Sequence, residues 1–73
     1  KLNSSGLITL TLEKAYKVTF VLGTDKSSYS KGLTIDDTAA ASSENVVTCN
    51  LSKGTHIIKY GGSETSVFLI ILE

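Results

Sequence analysis

An all-β fold, a small antiparallel β-sandwich of about six to eight strands with a partly closed barrel as the alternative, is what this 73-residue sequence predicts. Apolar and polar residues alternate with a period of two in several short runs, and clusters of turn-forming residues punctuate those runs. No segment carries the apolar spacing of an amphipathic helix. The composition agrees: nineteen residues are Ser or Thr, the apolar set is dominated by Leu, Ile and Val, and Pro, Trp and Met are absent.

Residues 7–13 place Ile8, Leu10 and Leu12 on one face and Thr9, Thr11 and Glu13 on the other, the pattern of a half-buried strand. Tyr16–Leu22 repeats it with Tyr16, Val18, Phe20 and Leu22 facing inward. The short connection at Lys14 and Ala15 predicts a hairpin or an adjacent pair. Residues 23–28 carry turn-forming types without periodicity and are expected to form a loop. A short strand over residues 32–36 turns Leu33 and Ile35 inward, and residues 37–45, rich in Ser and Thr, favour a loop over a single helical turn.

Val46–Leu51 alternates again, with Val47, Cys49 and Leu51 on one face. Ser52-Lys53-Gly54 turns the chain into residues 55–60, where His56, Ile58 and Tyr60 share a face. Gly61-Gly62-Ser63 supplies the last turn, a Gly pair tolerating the positive φ angles of tight hairpins. Val67–Leu72 is apolar on both faces, which suits a central strand or one whose outer face meets another domain. Left as an open edge it is an aggregation hazard. Tyr16, Phe20 and Phe68 are read as core.

At 7.7 kDa the chain has room for one domain, residues 1–73, since domains commonly run to about 100–150 residues. Seven Lys and Arg balance seven Asp and Glu, so no basic surplus exists for a nucleic-acid backbone or an anionic membrane. The longest apolar run is six residues against the roughly 20 of a spanning helix. One cysteine forms no intrachain disulfide. The first residue is Lys1 and no secretory leader pattern is visible, so the chain is expected to be a mature product or a module excised from a larger protein.

Little in the sequence promises catalysis. His56 is the only histidine, which excludes a two-histidine metal site, and its inward register predicts a partly buried structural imidazole rather than a sugar contact. Cys49 is expected to be a small buried hydrophobe. Asp36 and Asp37, adjacent in a strand, would point to opposite faces and serve as an acid and base pair only if the chain turns there. With Asp25 and Glu44 they leave a calcium site conceivable, although the spacing is not that of an EF-hand and solvated loop carboxylates are the default. No catalytic residue, metal or cofactor is assigned.

The run Leu51-Ser52-Lys53-Gly54-Thr55-His56-Ile57-Ile58, the Gly-Gly turn and the apolar last strand together resemble small accessory β-sandwich modules. Those modules lie beside pectate lyase-like and other glycan-active domains of secreted bacterial proteins. Ser5-Gly6-Leu7-Ile8-Thr9-Leu10, Lys17-Val18-Thr19-Phe20 and Lys31-Gly32-Leu33-Thr34-Ile35 are similar too, so the likeness spans nearly the whole chain. His56 stands where such modules usually carry Tyr. The resemblance implies a jelly-roll-like sandwich, an extracellular location, secreted or cell-surface, and a non-catalytic role, carbohydrate binding or structural.

Sugar recognition needs an aromatic ring to stack on a pyranose and polar groups for its hydroxyls. Tyr29, in a Ser-rich loop with Lys26 and Lys31 beside it, is the first candidate and Tyr60, next to Gly61-Gly62, the second. The two lysines suit a uronate carboxylate. The expected function is therefore to bind a polysaccharide, a uronate-containing one among the options, and to target a linked polysaccharide-degrading enzyme to it. The alternative is a structural module that docks on a neighbouring domain of the parent chain through its last strand and has no glycan ligand.

Overall fold

The computed structural model of the protein describes residues 2–73, in which the alternating runs become β1 (Ile8–Leu12), β2 (Tyr16–Leu22), β3 (Leu33–Ile35), β4 (Thr38–Ala40), β5 (Val46–Leu51), β6 (Gly54–Tyr60) and β7 (Val67–Leu72). One helical turn, α1 (Lys26–Tyr29), lies between β2 and β3. The strands form two sheets, ordered β1-β6-β3-β4 and β5-β2-β7, with every pairing antiparallel. This is the all-β sandwich the alternation predicts.

The period of two sorts each strand between core and solvent. Val18, Phe20 and Leu22 of β2 are fully buried and meet Leu33 and Ile35 of β3, Val47 of β5 and Ile58 of β6 in one cluster, closed by Leu2 and Leu12. Their intervening partners Lys17, Thr34, Thr48 and Lys59 stay wholly or partly in solvent. Burying a Val, Leu, Ile or Phe side chain contributes about 1.5–3 kcal/mol, so this cluster is the main support of a chain that has no disulfide.

Five expectations are corrected. The strands β1 and β2 are neither a hairpin nor neighbours: β1 pairs with β6 and β2 with β5 and β7, in opposite sheets. The loop expected at 23–28 contains the start of α1, because Asp25 caps that turn by accepting from the Ser27 N–H at 3.1 Å. The segment 37–45 contains β4, which pairs with β3 through a two-residue turn whose central residues, Asp36 and Asp37, have φ of 51° and 66°. Two successive positive φ values mark the hairpin turn whose twist matches its strands.

Phe68 is not core; it is 73% exposed. The ladder shifts register between Val21 and Leu22, which pair with Leu69 and Val67, so Phe68 is the extra residue of a bulge and is re-aimed outward. The strand β7 lies at a sheet edge rather than at its centre, and Leu69, Ile71 and Leu72 are 53%, 38% and 42% exposed.

Candidate functional site

The four residues expected to meet a glycan lie on two adjoining stretches. Tyr29 closes α1, half-buried against the core, and its carbonyl accepts from the Gly32 N–H at 2.9 Å and from Ser42 Oγ at 2.6 Å. Lys26, at the start of α1, and Lys31, just beyond it, are exposed. Tyr60 ends β6 opposite Leu33, also half-buried, and its carbonyl accepts from Thr34 Oγ1 at 3.1 Å.

What joins the two stretches is backbone. Gly61 passes so close to Lys31 and Gly32 that a Cβ there would run into both carbonyl groups. Gly62 then lies alongside the Lys31 side chain, whose methylenes sit 3.8–3.9 Å from where a Cβ would be, and Ser63 Oγ donates to the Ser27 carbonyl at 2.9 Å. The glycines thus dock the turn after β6 onto the segment that carries Lys26, Tyr29 and Lys31. Lys26 and Lys31 are the cationic side chains of this segment and both are exposed, while Tyr29 and Tyr60 are half-buried and pack against the core.

A second constellation surrounds His56, which is buried. Its Nε2 lies 2.7 Å from the Ser52 carbonyl, which only accepts, and its Nδ1 lies 2.5 Å from Asp36 Oδ2. The other Asp36 oxygen accepts from the Ile57 N–H at 2.8 Å. The hydrogen bond to Asp36 raises the imidazole's pKa above its ordinary value, with the Ser52 carbonyl adding to it, and the same bond followed by the Ile57 N–H lowers that of the Asp36 carboxyl. The arrangement is a histidine–carboxylate pair in which each ring nitrogen meets an oxygen, a structural tie between β6 and the β3–β4 turn.

Asp36 also borders a groove of about 390 Å³ between β4 and β5, lined further by Ile35, Ala40, Thr48 and Cys49. Burial first, and the Asp36 carboxylate second, push the Cys49 thiol above its ordinary pKa, so it stays protonated and a poor nucleophile. Asp36 and Asp37 do sit at a turn, but Asp36 is committed to His56, and Asp37 lies 3.9 Å from Lys59 Nζ on the surface. Among the described residues no group of three or more His, Cys, Asp or Glu side chains could hold a metal ion, so Asp25, Asp36, Asp37 and Glu44 do not come together as a calcium cage. No helix among them is long and apolar enough to cross a membrane.

Sequence reasoning missed two features of functional weight. The Asp36 partner of His56 lies 20 residues away and is brought in by the β3–β6 register, for which the sequence carries no local signal. The outward position of Phe68 depends on a bulge that alternation alone conceals.

With this geometry in view, a family model for carbohydrate binding module 77 matches residues 1–70. The chain belongs to that family. Neither a curated protein nor a solved structure matches it. A small sandwich whose histidine is tied to Asp36 and whose cysteine packs against the core agrees with membership in carbohydrate binding module 77.

Proposed function

We propose that this chain is a non-catalytic module that holds a linked polysaccharide-degrading enzyme on its substrate, and that it does so outside the cell as one part of a larger secreted or cell-surface bacterial protein. Tyr29, Tyr60, Lys26 and Lys31 form the contact surface in this reading, with a uronate-containing polysaccharide as ligand. The observation that carries it is the docking of the Gly61-Gly62 turn against Lys31, which makes one corner of the fold from two stretches separated in sequence. Exposed ammonium groups there suit carboxylates spaced along an acidic glycan, and the attraction weakens as salt screens it.

Affinity electrophoresis tests this directly. In gels containing polygalacturonate the chain is expected to be retarded, less so at high salt. The double variant Lys26→Ala, Lys31→Ala should lose about tenfold or more in affinity, which corresponds to about 1.4 kcal/mol, while keeping its thermal midpoint. Retardation equal to that of the parent chain would sink the assignment of these lysines.

A second reading is favoured by β7. An edge strand exposing Phe68, Leu69, Ile71 and Leu72 is an uncommon surface for a free module, and packing it against a neighbouring domain of the parent chain would cover both the apolar strip and the unpaired strand edge. Hydrogen exchange distinguishes the two. If β7 docks, its outward amides exchange more slowly in the longer protein than in the isolated chain; equal rates in both would exclude docking through this strand.

A further inference from the structure

The outer edge of β7 leaves hydrogen-bonding groups open in a fixed pattern. Lys17 and Glu73 exchange both of their backbone hydrogen bonds, each at 2.9 Å. In an antiparallel ladder that exchange recurs at every second residue. In the β2–β7 register Ile71 and Leu69 therefore also bond to β2, whereas Ile70 and Leu72 turn their N–H and C=O groups away from it. Among the described residues no strand lies beyond β7 to receive those groups. The free stretch has a defined start: just ahead of the strand, Thr65 exchanges backbone bonds with Leu2, at 2.7 and 2.9 Å.

Side chains make the same edge apolar. Ile70 packs against the core, so Leu69 and Ile71 face the opposite way, exposed. At the bulge the Phe68 ring rests beside Gly23, where a Cβ would lie 3.8 Å from Phe68 Cε2. Sheet edges are commonly blunted by Lys or Pro, but Val67–Leu72 contains neither, and no charged residue of any kind. An occupant of this edge must bring open backbone groups at the same spacing, apolar side chains on both faces and no charge. A second copy of β7 brings all three. A two-fold axis at Ile70 sets that residue opposite its own counterpart and pairs Leu69 with Ile71, and Phe68 with Leu72, of the second copy. Every pair from Phe68 to Leu72 is then apolar, Glu73 falls opposite Val67, and the zero net charge of the chain sets up no repulsion between copies.

The geometry points to a two-fold dimer of this chain in which β7 pairs antiparallel with β7 of a second copy about Ile70, joining the two β5-β2-β7 sheets into one. Its strength follows from the area available. At roughly 200 Å² for a large apolar side chain, the exposed parts of Phe68, Leu69, Ile71 and Leu72 offer about 400 Å² per copy, half the ~800 Å² of a standard interface. The dimer is therefore weak and reversible, half formed at about 0.1 mM. It is independent of the carbohydrate-binding reading, since no residue of β7 belongs to the surface assigned to the glycan.

Sedimentation equilibrium from about 10 μM to about 1 mM tests it. The weight-average mass should rise with concentration from 7.7 kDa toward twice that value and no further. Over the same range the Ile70 and Leu72 amides should exchange with solvent severalfold more slowly, while those of Leu69 and Ile71, already bonded to β2, should not change. Leu69→Lys with Ile71→Lys sets like charges opposite each other across the axis and should keep the chain monomeric, as should Leu69→Glu with Ile71→Glu; an equimolar mixture of the two variants should recover the dimer. These substitutions fall on exposed side chains, and the exchange measurement on the parent chain needs no variant to fold. A parent chain that stays at 7.7 kDa throughout, association that runs past the dimer, or Ile70 and Leu72 exchange independent of concentration would each overturn the inference. So would a folded charged variant that still dimerises, or a mixture of folded variants that does not. A monomeric parent chain whose β7 amides are protected only in the longer protein would give the edge to a neighbouring domain instead.

Discussion

His56 has oxygen acceptors on both sides of its ring, and that places its stabilising effect in a definite pH window. Its pKa in the fold is raised, so the stability it contributes is fully present below the ordinary imidazole value of 6.5 and is lost as pH rises through the raised value. Asp36 is the opposite case: its pKa is lowered, so its contribution is present above the ordinary 3.8 and is lost as pH falls through the lowered value. The pair therefore stabilises most between those two ordinary values. Thermal unfolding of the parent chain and of Asp36→Asn across pH 3–9 checks this. Asn keeps the positive φ of the turn comfortable, so the gap between the two midpoints should be widest near pH 5 and shrink on either side. A constant gap would mean that the pair carries no net charge interaction. The inward position of His56 was legible from its register with Ile58 and Tyr60, but its partner was not, since only the β3–β6 ladder brings the turn at Asp36 next to Ile57.

Among elements, the long alternating strands were readable because a period of two commits every second residue to the core, as Val18, Phe20 and Leu22 illustrate. Short elements were not. Thr-Ala-Ala of β4 has no buried residue and so no pattern to detect, and α1 is a single turn whose only local signal is Asp25 two residues before the Ser27 it caps. The turn after β6 was expected from Gly61-Gly62, but its tight fit against Lys31 and Gly32 comes only with the fold. Gly61 is not in the left-handed region, so the cost of adding a methyl there is steric alone. Gly61→Ala should destabilise the chain by about 1–3 kcal/mol, a fall of several degrees or more in thermal midpoint for a domain of this size. It should also weaken polygalacturonate retention, because it shifts the segment that carries Lys26 and Lys31. A midpoint within a degree of the parent's would show that the contact relaxes freely.

At the scale of the whole molecule the sequence determined the class of fold but left the strand partners open. Nothing in the spacing of β1 and β2 distinguishes a hairpin from a step between layers, and the structure takes the step because the partners of β1 and β2 are the distant β6 and β5 with β7. The candidate surfaces share that limitation: Lys31 and Tyr60 belong to one corner, and Phe68 and Gly23 to another, through contacts between residues far apart in the chain. The arrangement of ladders bears on how the chain reaches its native state. Of the five strand pairings only β3 with β4 joins neighbours in sequence; the connections between the other successive strands pass from one sheet to the other. Closing long loops must therefore precede nearly all of the ordered pairing, which places refolding on the order of milliseconds to seconds, at the slow end for so short a chain. While it lasts, the Val67–Leu72 segment is without its β2 partner, so dilute refolding is the condition under which this module is expected to be recovered in good yield.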